Sequence, residues 1–203
     1  MRIAVLGAGV VGQTLSAKLR ELGHDVSIGT RSPRDGAVSY AEAAEAADLV
    51  VNATSGVGSL EALDAAGAEN LAGKVLLDVA NALDFSKGRP PGLAVCNFDS
   101  LAEQIQRAHP DAKVVKALNT VNCDVMVDPA SVPGDHVVFV CGNDDGAKAQ
   151  VVELLGSFGW PSERVVDLGD ITSARGTEMY VPLWVRLMGT LGTPSFNITL
   201  SRA

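Results

Sequence analysis

The 203-residue chain is 47% hydrophobic and carries 16 basic residues against 24 acidic ones, a formal charge of -8, long and apolar enough to bury a substantial core as one domain or one domain with an appendage. The acid excess excludes general affinity for nucleic acid or for an anionic membrane surface, since both need a surplus of Lys and Arg, so any anion has to be gripped locally. Cys96, Cys123 and Cys141 stand singly with no Cys-x-x-Cys pair, which supports neither a disulfide framework nor a zinc site and points to a reducing cytoplasm.

Residues 2–7 read as a buried strand, and 10–23 as a helix with Val11, Leu15, Leu19 and Leu22 on one face and Gly23 as its stop. This breaks the apolar N-terminus into strand and turn rather than a signal peptide, and no apolar run approaches the roughly 20 residues that cross a bilayer. A second strand covers 25–30. Ser39 and Glu42 have capping-box spacing and open a short helix. Residues 48–54, 74–80, 112–118 and 136–142 are further strands, nearly continuous in apolar character, as strands covered on both faces are. Helices are expected around 59–66, 99–108 and 146–158, and a loop at 86–93. From 173 to 192 a helical pattern carries Pro182, which should kink or divide it. The order predicts an α/β fold, a Rossmann doubly wound parallel sheet with a small C-terminal helical cap. Residues 1–145 are expected to form the main domain, and 146–203 a small lobe lining a pocket or a dimer face.

"GAGVVG" (residues 7–12) is a G-x-G-x-x-G placed directly after a strand and opening a helix, the context that gives this otherwise weak pattern a dinucleotide reading. Gly7 allows the tight turn, Gly9 the approach of a pyrophosphate, and Gly12 close packing of helix on strand. At the end of the second strand, where an NAD enzyme places a carboxylate for the ribose 2'-hydroxyl, this chain has Thr30, Arg31, Ser32 and, two residues on, Arg34. Arginine forks and hydroxyls suit a 2'-phosphate, so the bound nucleotide is expected to be NADP.

"GAGVVG", "LGHDVSIGTR", "KALNT" followed by "VN", "VCGNDDGAK" and "LWVRLMGTLGTPSFNITL" occur in the order of a known family. Across most of its length the sequence resembles the NADP oxidoreductases that use the deazaflavin coenzyme F420, with related NADPH-dependent reductases that include cytoplasmic domains of membrane ferric reductases. The resemblance implies hydride transfer between NADP(H) and a second planar ring, coenzyme F420, as the small-molecule partner. It implies that Thr30, Arg31, Ser32 and Arg34 hold the adenosine phosphate, and Ala8, Gly9, Val10 and Val11 the pyrophosphate. Asn52, Ala53 and Thr54 would border the cofactor, with Asn81, Asn119 and Thr120 near the nicotinamide. Leu118 stands where the family's "KAFNT" form has an aromatic residue.

No acid or base is assigned as catalytic, and no metal site. His24, His109 and His136 read as surface or capping residues, and Tyr40 and Tyr180 lack a lysine at the short-chain dehydrogenase spacing. Lys116 is either a structural residue at a strand end or a contact for an anion. Hydride exchange between two redox cofactors does not demand a strong general acid, since orientation and a few donors supply most of the effect. Trp184, Leu187, Met188 and Leu191 form an apolar helical stripe, read first as core and otherwise as pocket wall or homodimer face. Trp160 reads as a packing anchor. The competing functions are NADPH-dependent reduction of a flavin, ferric iron or a small imine or carbonyl, and a non-catalytic NADP-binding redox sensor.

Overall fold

The computed structural model describes residues 1–34 and 36–202. In β1 (Arg2–Leu6) alternate side chains leave on opposite sides: Ile3 and Val5 enter one apolar cluster, Ala4 and Leu6 another, so the strand is sealed on both faces. Helix α1 (Val10–Glu21) packs on the first cluster through Leu15 and Leu19. Next come β2 (Asp25–Thr30) and β3 (Val38–Ser39), and Ser39 caps α2 (Tyr40–Ala46) in a reciprocal box with Glu42. β4 (Leu49–Asn52) leads to α3 (Ser59–Ala66) and α4 (Ala68–Leu71), and β5 (Val75–Asp78) to a hairpin of β6 (Leu83–Asp84) and β7 (Gly92–Leu93). Then follow α5 (Leu101–Ala108), β8 (Lys113–Ala117), α6 (Cys123–Val127), β9 (Val138–Gly142), α7 (Asp145–Ser157) and β10 (Val165–Asp167), and finally α8 (Ala174–Met179) and α9 (Val181–Leu191).

Eight strands form one sheet in the order β10-β9-β8-β5-β4-β1-β2-β3. From β3 through to β8 every neighbour is parallel, but β9 meets β8 antiparallel, with β10 parallel to β9. The expected doubly wound, parallel-dominated sheet is present, with the β8–β9 pairing as its antiparallel exception among the described residues. Between β8 and β9 the chain forms only the short helix α6 and a 3-10 turn rather than a long crossover helix, and β9 runs back beside β8.

Helices α1, α6 and α7 cover one face with Leu15, Val125 and Leu155; α2, α3 and α5 cover the other with Ala44, Leu63 and Ile105. Ladders stop about two residues before the predicted strand ends, at Asn52, Asp78 and Ala117, and the residues beyond peel away as loops at one edge of the sheet. The C-terminal helical pattern divides at Tyr180: Pro182 sits in the first turn of α9, where its missing N–H costs nothing. Only Val181 of α9 is buried; of the predicted stripe Trp184, Leu187 and Met188 are partly buried and Leu191 is 55% exposed, so it is a half-covered face rather than core. Among the described residues no helix is long and apolar enough to cross a membrane.

Helix α8 is clasped to α5 by charge. Arg175 donates from Nε and Nη2 to Glu103 at 2.8 and 2.6 Å, and Glu178 accepts the Leu101 and Ala102 N–H groups at 2.7 and 3.1 Å, closing the N-terminus of α5. The hydrogen bond from Arg175 outweighs burial and holds Glu103 below the usual carboxylate range, with Ser100 adding to it. Because the folded value lies below the unfolded one, about 4.3, this stabilisation is complete above that pH and drains away as pH falls through the folded value. Arg175→Gln is expected to move acid unfolding, followed by circular dichroism, to higher pH. An unmoved midpoint contradicts the clasp.

Candidate functional site

The glycine turn is built by close approach. Gly7 has φ +119°, and a Cβ on it would lie 2.4 Å from the Ala53 carbonyl oxygen; one on Gly12 would lie 1.9 Å from that of Gly7. Gly9 differs, since a Cβ there meets nothing within 4 Å. It also provides no side-chain cap for α1, whose first internal hydrogen bond runs from Gln13 N–H to the Gly9 carbonyl at 2.9 Å. The preceding N–H groups of the helix face an open approach, backed by the positive end of twelve aligned peptides.

Two clefts open on either side of this turn. The first, about 580 Å³, is lined by Ala8, Thr30, Arg31, Ser32 and Arg34, all expected from the sequence, and by Gln13 and Arg20 from α1. Arg20 is braced by a 3.0 Å bond from Nη2 to the Val26 carbonyl. The Thr30 hydroxyl is buried, with no hydrogen-bond partner among the described residues. Three guanidinium groups thus meet at one cleft of an acidic protein.

The second, about 430 Å³, lies at the C-terminal ends of β1, β4, β5 and β8 and takes Val10, Val11, Ala53, Thr54, Asn81 and Asn119 into its walls. Asn81 and Asn119 are locked together: Asn81 Nδ2 donates to the Asn119 carbonyl at 2.8 Å, and Asn119 Nδ2 to Asn81 Oδ1 at 3.0 Å. Leu118 makes this possible by taking φ +63°, a left-handed turn that costs a leucine about 1–2 kcal/mol and swings residue 119 off the strand. Phe85 from the hairpin and Trp184 from α9 add an apolar wall, and Trp184 stacks on Phe196 with ring centroids 5.5 Å apart.

Asn52 and Thr120 stand behind these walls, buried. Asn52 spends its amide within the protein, donating to Ser59 Oγ at 3.0 Å and Asp78 Oδ1 at 2.8 Å and accepting from Thr54 Oγ1 at 2.7 Å. Of the two readings of Lys116, structural residue or anion contact, the structure favours the first, since it lines none of these clefts. It is fully buried between Asp78 at 2.7 Å and Glu178 at 3.0 Å, and donates to the Ala80 carbonyl. Burial alone would lower its pKa, but the two carboxylates outweigh it and hold the ammonium above its usual range. His109 and His136 are also buried, against expectation; Nε2 of His136 lies 3.0 Å from the Pro129 and Val132 carbonyls, and its ring meets buried Trp160 edge-on.

Sequence reading missed Arg20, Gln13 and Phe85. The signal for the first two was present: positions 13 and 20 are seven apart, two turns along one helix face. No His, Lys, Asp, Glu or Tyr lines the second cleft among the described residues, nor is any group of three or more metal-ligating side chains found among them.

The model of the family described as NADP oxidoreductase coenzyme F420-dependent matches residues 2–82, a span that holds the glycine turn, Arg31 and Asn81. A protein from Arthrobacter sp. FB24, provisionally described as an F420-dependent NADP reductase, has a crystal structure that superimposes with a TM-score of 0.96, at 54% identity over 100% of both chains. The F420-dependent NADP reductase of Methanocaldococcus jannaschii is 31% identical over 120 residues, 59% of this chain and 52% of its own. Rat metalloreductase STEAP3 is 27% identical over 96% of this chain and 38% of its own. The chain thus spans about half, or less, of these two curated relatives. With its sequence and its fold matched from end to end by the Arthrobacter protein, the chain belongs to the coenzyme F420-dependent NADP oxidoreductase family.

Proposed function

We propose that this protein transfers hydride between NADP(H) and coenzyme F420. The observation that carries the reading is the placement of one glycine turn between two clefts of opposite character, with Ala8 on the arginine side and Val10 and Val11 on the amide-lined side. Thr30, Arg31, Ser32 and Arg34, joined by Arg20, hold the 2'-phosphate; Gly9 and the open N-terminus of α1 hold the pyrophosphate. The narrow slot of about 160 Å³ between Tyr40 and the Ala62 and Ala65 methyls of α3 receives the adenine. NADPH, when bound, supplies the hydride.

Asn81 and Asn119, immobilised by their mutual bonds, present a fixed polar edge to the nicotinamide end, while Ala53 and Thr54 border it. Asn52 supports Thr54 from below, and Thr120 backs the wall. Trp184 and Phe85 provide flat apolar surface for the second ring and exclude water. No His, Lys, Asp, Glu or Tyr lines this pocket among the described residues and the Cys123 thiol is its one titratable side chain, which suits a transfer governed by orientation, since the charge that arrives on the acceptor spreads over its ring atoms. Residues 1–145 on this reading bind the nucleotide, and residues 146–203 complete the acceptor wall. The free cysteines support a reducing cytoplasm, and the half-exposed apolar face of α9 supports a homodimer.

The test mixes the purified protein with NADPH and, in turn, oxidised F420, FMN, FAD, a ferric chelate and a small cyclic imine, while NADPH absorbance is followed. Turnover with F420 is expected. The ferric arm matters because of the metalloreductase relative; tight NADPH binding with no turnover on any acceptor marks a sensor and ends the proposal.

A further inference from the structure

Arg31 already has an anion at hand. Its Nη2 lies 3.1 Å from Glu61 Oε2, and the two side chains are 69% and 72% exposed, so the pair stands in water at the mouth of the site. Glu61 belongs to the first turn of α3, where the positive end of the helix favours a carboxylate with or without the arginine. Arg31 and Thr30 are the residues common to the wide arginine cleft and the narrow slot. Arg31 therefore stands between two claimants, with Glu61 on the slot side and Arg20 and Arg34 on the cleft side.

We infer that Glu61 sets how strongly this protein discriminates between the phosphorylated and unphosphorylated nucleotide, by competing with the 2'-phosphate for Arg31. This rests on the assignment of the adenosine end to these clefts. A guanidinium has five donors and can serve both anions, but the carboxylate and the phosphate then lie within a Debye length of each other, about 8 Å at physiological salt, and repel. A 2'-hydroxyl feels no such repulsion. It instead finds beside Arg31 a carboxylate able to accept a hydrogen bond, the type of group that holds the ribose in enzymes specific for the unphosphorylated nucleotide, here carried by α3 rather than by the end of β2. Glu61 thus penalises NADPH and favours NADH, while Arg31 does the reverse.

The experiment is a fluorescence titration of wild-type and Glu61→Gln protein with NADPH and with NADH, at low and at high salt. Glu61→Gln keeps the shape of the side chain and removes only its charge, on a surface site that the fold does not depend on. NADPH is expected to bind about 1.5- to fivefold tighter, the scale of an exposed charge pair, with NADH unchanged or weaker and the NADPH gain shrinking at high salt. Unchanged or weakened NADPH binding overturns the inference, because Glu61 would then not compete for Arg31. So does an equal gain for both nucleotides, which is a general effect of net charge. A wild-type protein that binds NADPH and NADH alike, and does so equally after Arg31→Ser, sinks the underlying site assignment instead.

Discussion

Arg31→Asp is expected to weaken NADPH binding by about 30- to 300-fold and to narrow or reverse the preference over NADH. Removing a fork of charge-assisted donors loses roughly 1.5–3 kcal/mol, and the new carboxylate adds repulsion toward the phosphate. NADH gains from the same change, since the introduced carboxylate offers an acceptor to a ribose hydroxyl. Arg31→Ser, which removes a charge without adding one, should fall between. Arg34→Ala costs less than either, because Arg20 and Arg31 still line the cleft. Direct titration with both nucleotides reads all of this, and wild-type affinity for NADH equal to that for NADPH contradicts it.

The largest effect on stability is expected from Lys116→Met. The substitution keeps much of the volume but strands Asp78 and Glu178 in the interior without their cation. Breaking a buried ion pair by removing one partner costs about 3–5 kcal/mol, which for a chain of this length lowers Tm by roughly 6–20 °C. The partners are tied into the rest of the molecule: Asp78 accepts from Asn52 and from Ala80 N–H, and Glu178 closes α5. Neutralising them together with the lysine, in Lys116→Met/Asp78→Asn/Glu178→Gln, should return at least half of the lost Tm. Calorimetry on the three-fold variant and on Glu178→Gln alone, which measures the acceptor lost to the start of α5, separates stranded charge from lost packing; no recovery beyond the loss in Glu178→Gln would assign the remainder to packing.

What could be read from the sequence divides by distance along the chain. The glycine turn, the Ser39–Glu42 box and the arginine loop are local signals, each carried by residues within a few positions: in the structure Gly7 and Gly12 make close approaches, the box closes, and Thr30, Arg31, Ser32 and Arg34 line one cleft. Lys116 was ambiguous because its partners come from positions 78 and 178, and nothing near 116 reveals them. The reversal of β9 was hidden for a different reason: a strand buried on both faces has the same apolar pattern whichever way it runs. Burial of His109 and His136 likewise depends on what folds over them. His136 is met by Asn197, which reaches Nδ1 at 3.0 Å from the far end of the chain. The apolar stripe of α9 was visible, but its exposure was not, since amphipathic spacing says that a face exists and leaves open what covers it.

The wall formed by Trp184 arrives last in the chain, whereas every residue of the arginine cleft and glycine turn lies within the first 37 positions. On the proposed reading, the contacts to the nucleotide's phosphates and the Trp184 wall of the acceptor pocket thus come from opposite ends of the chain, with Phe85 and the asparagine pair between them. A substitution at Trp184 is then expected to alter the acceptor without disturbing the grip on the phosphates.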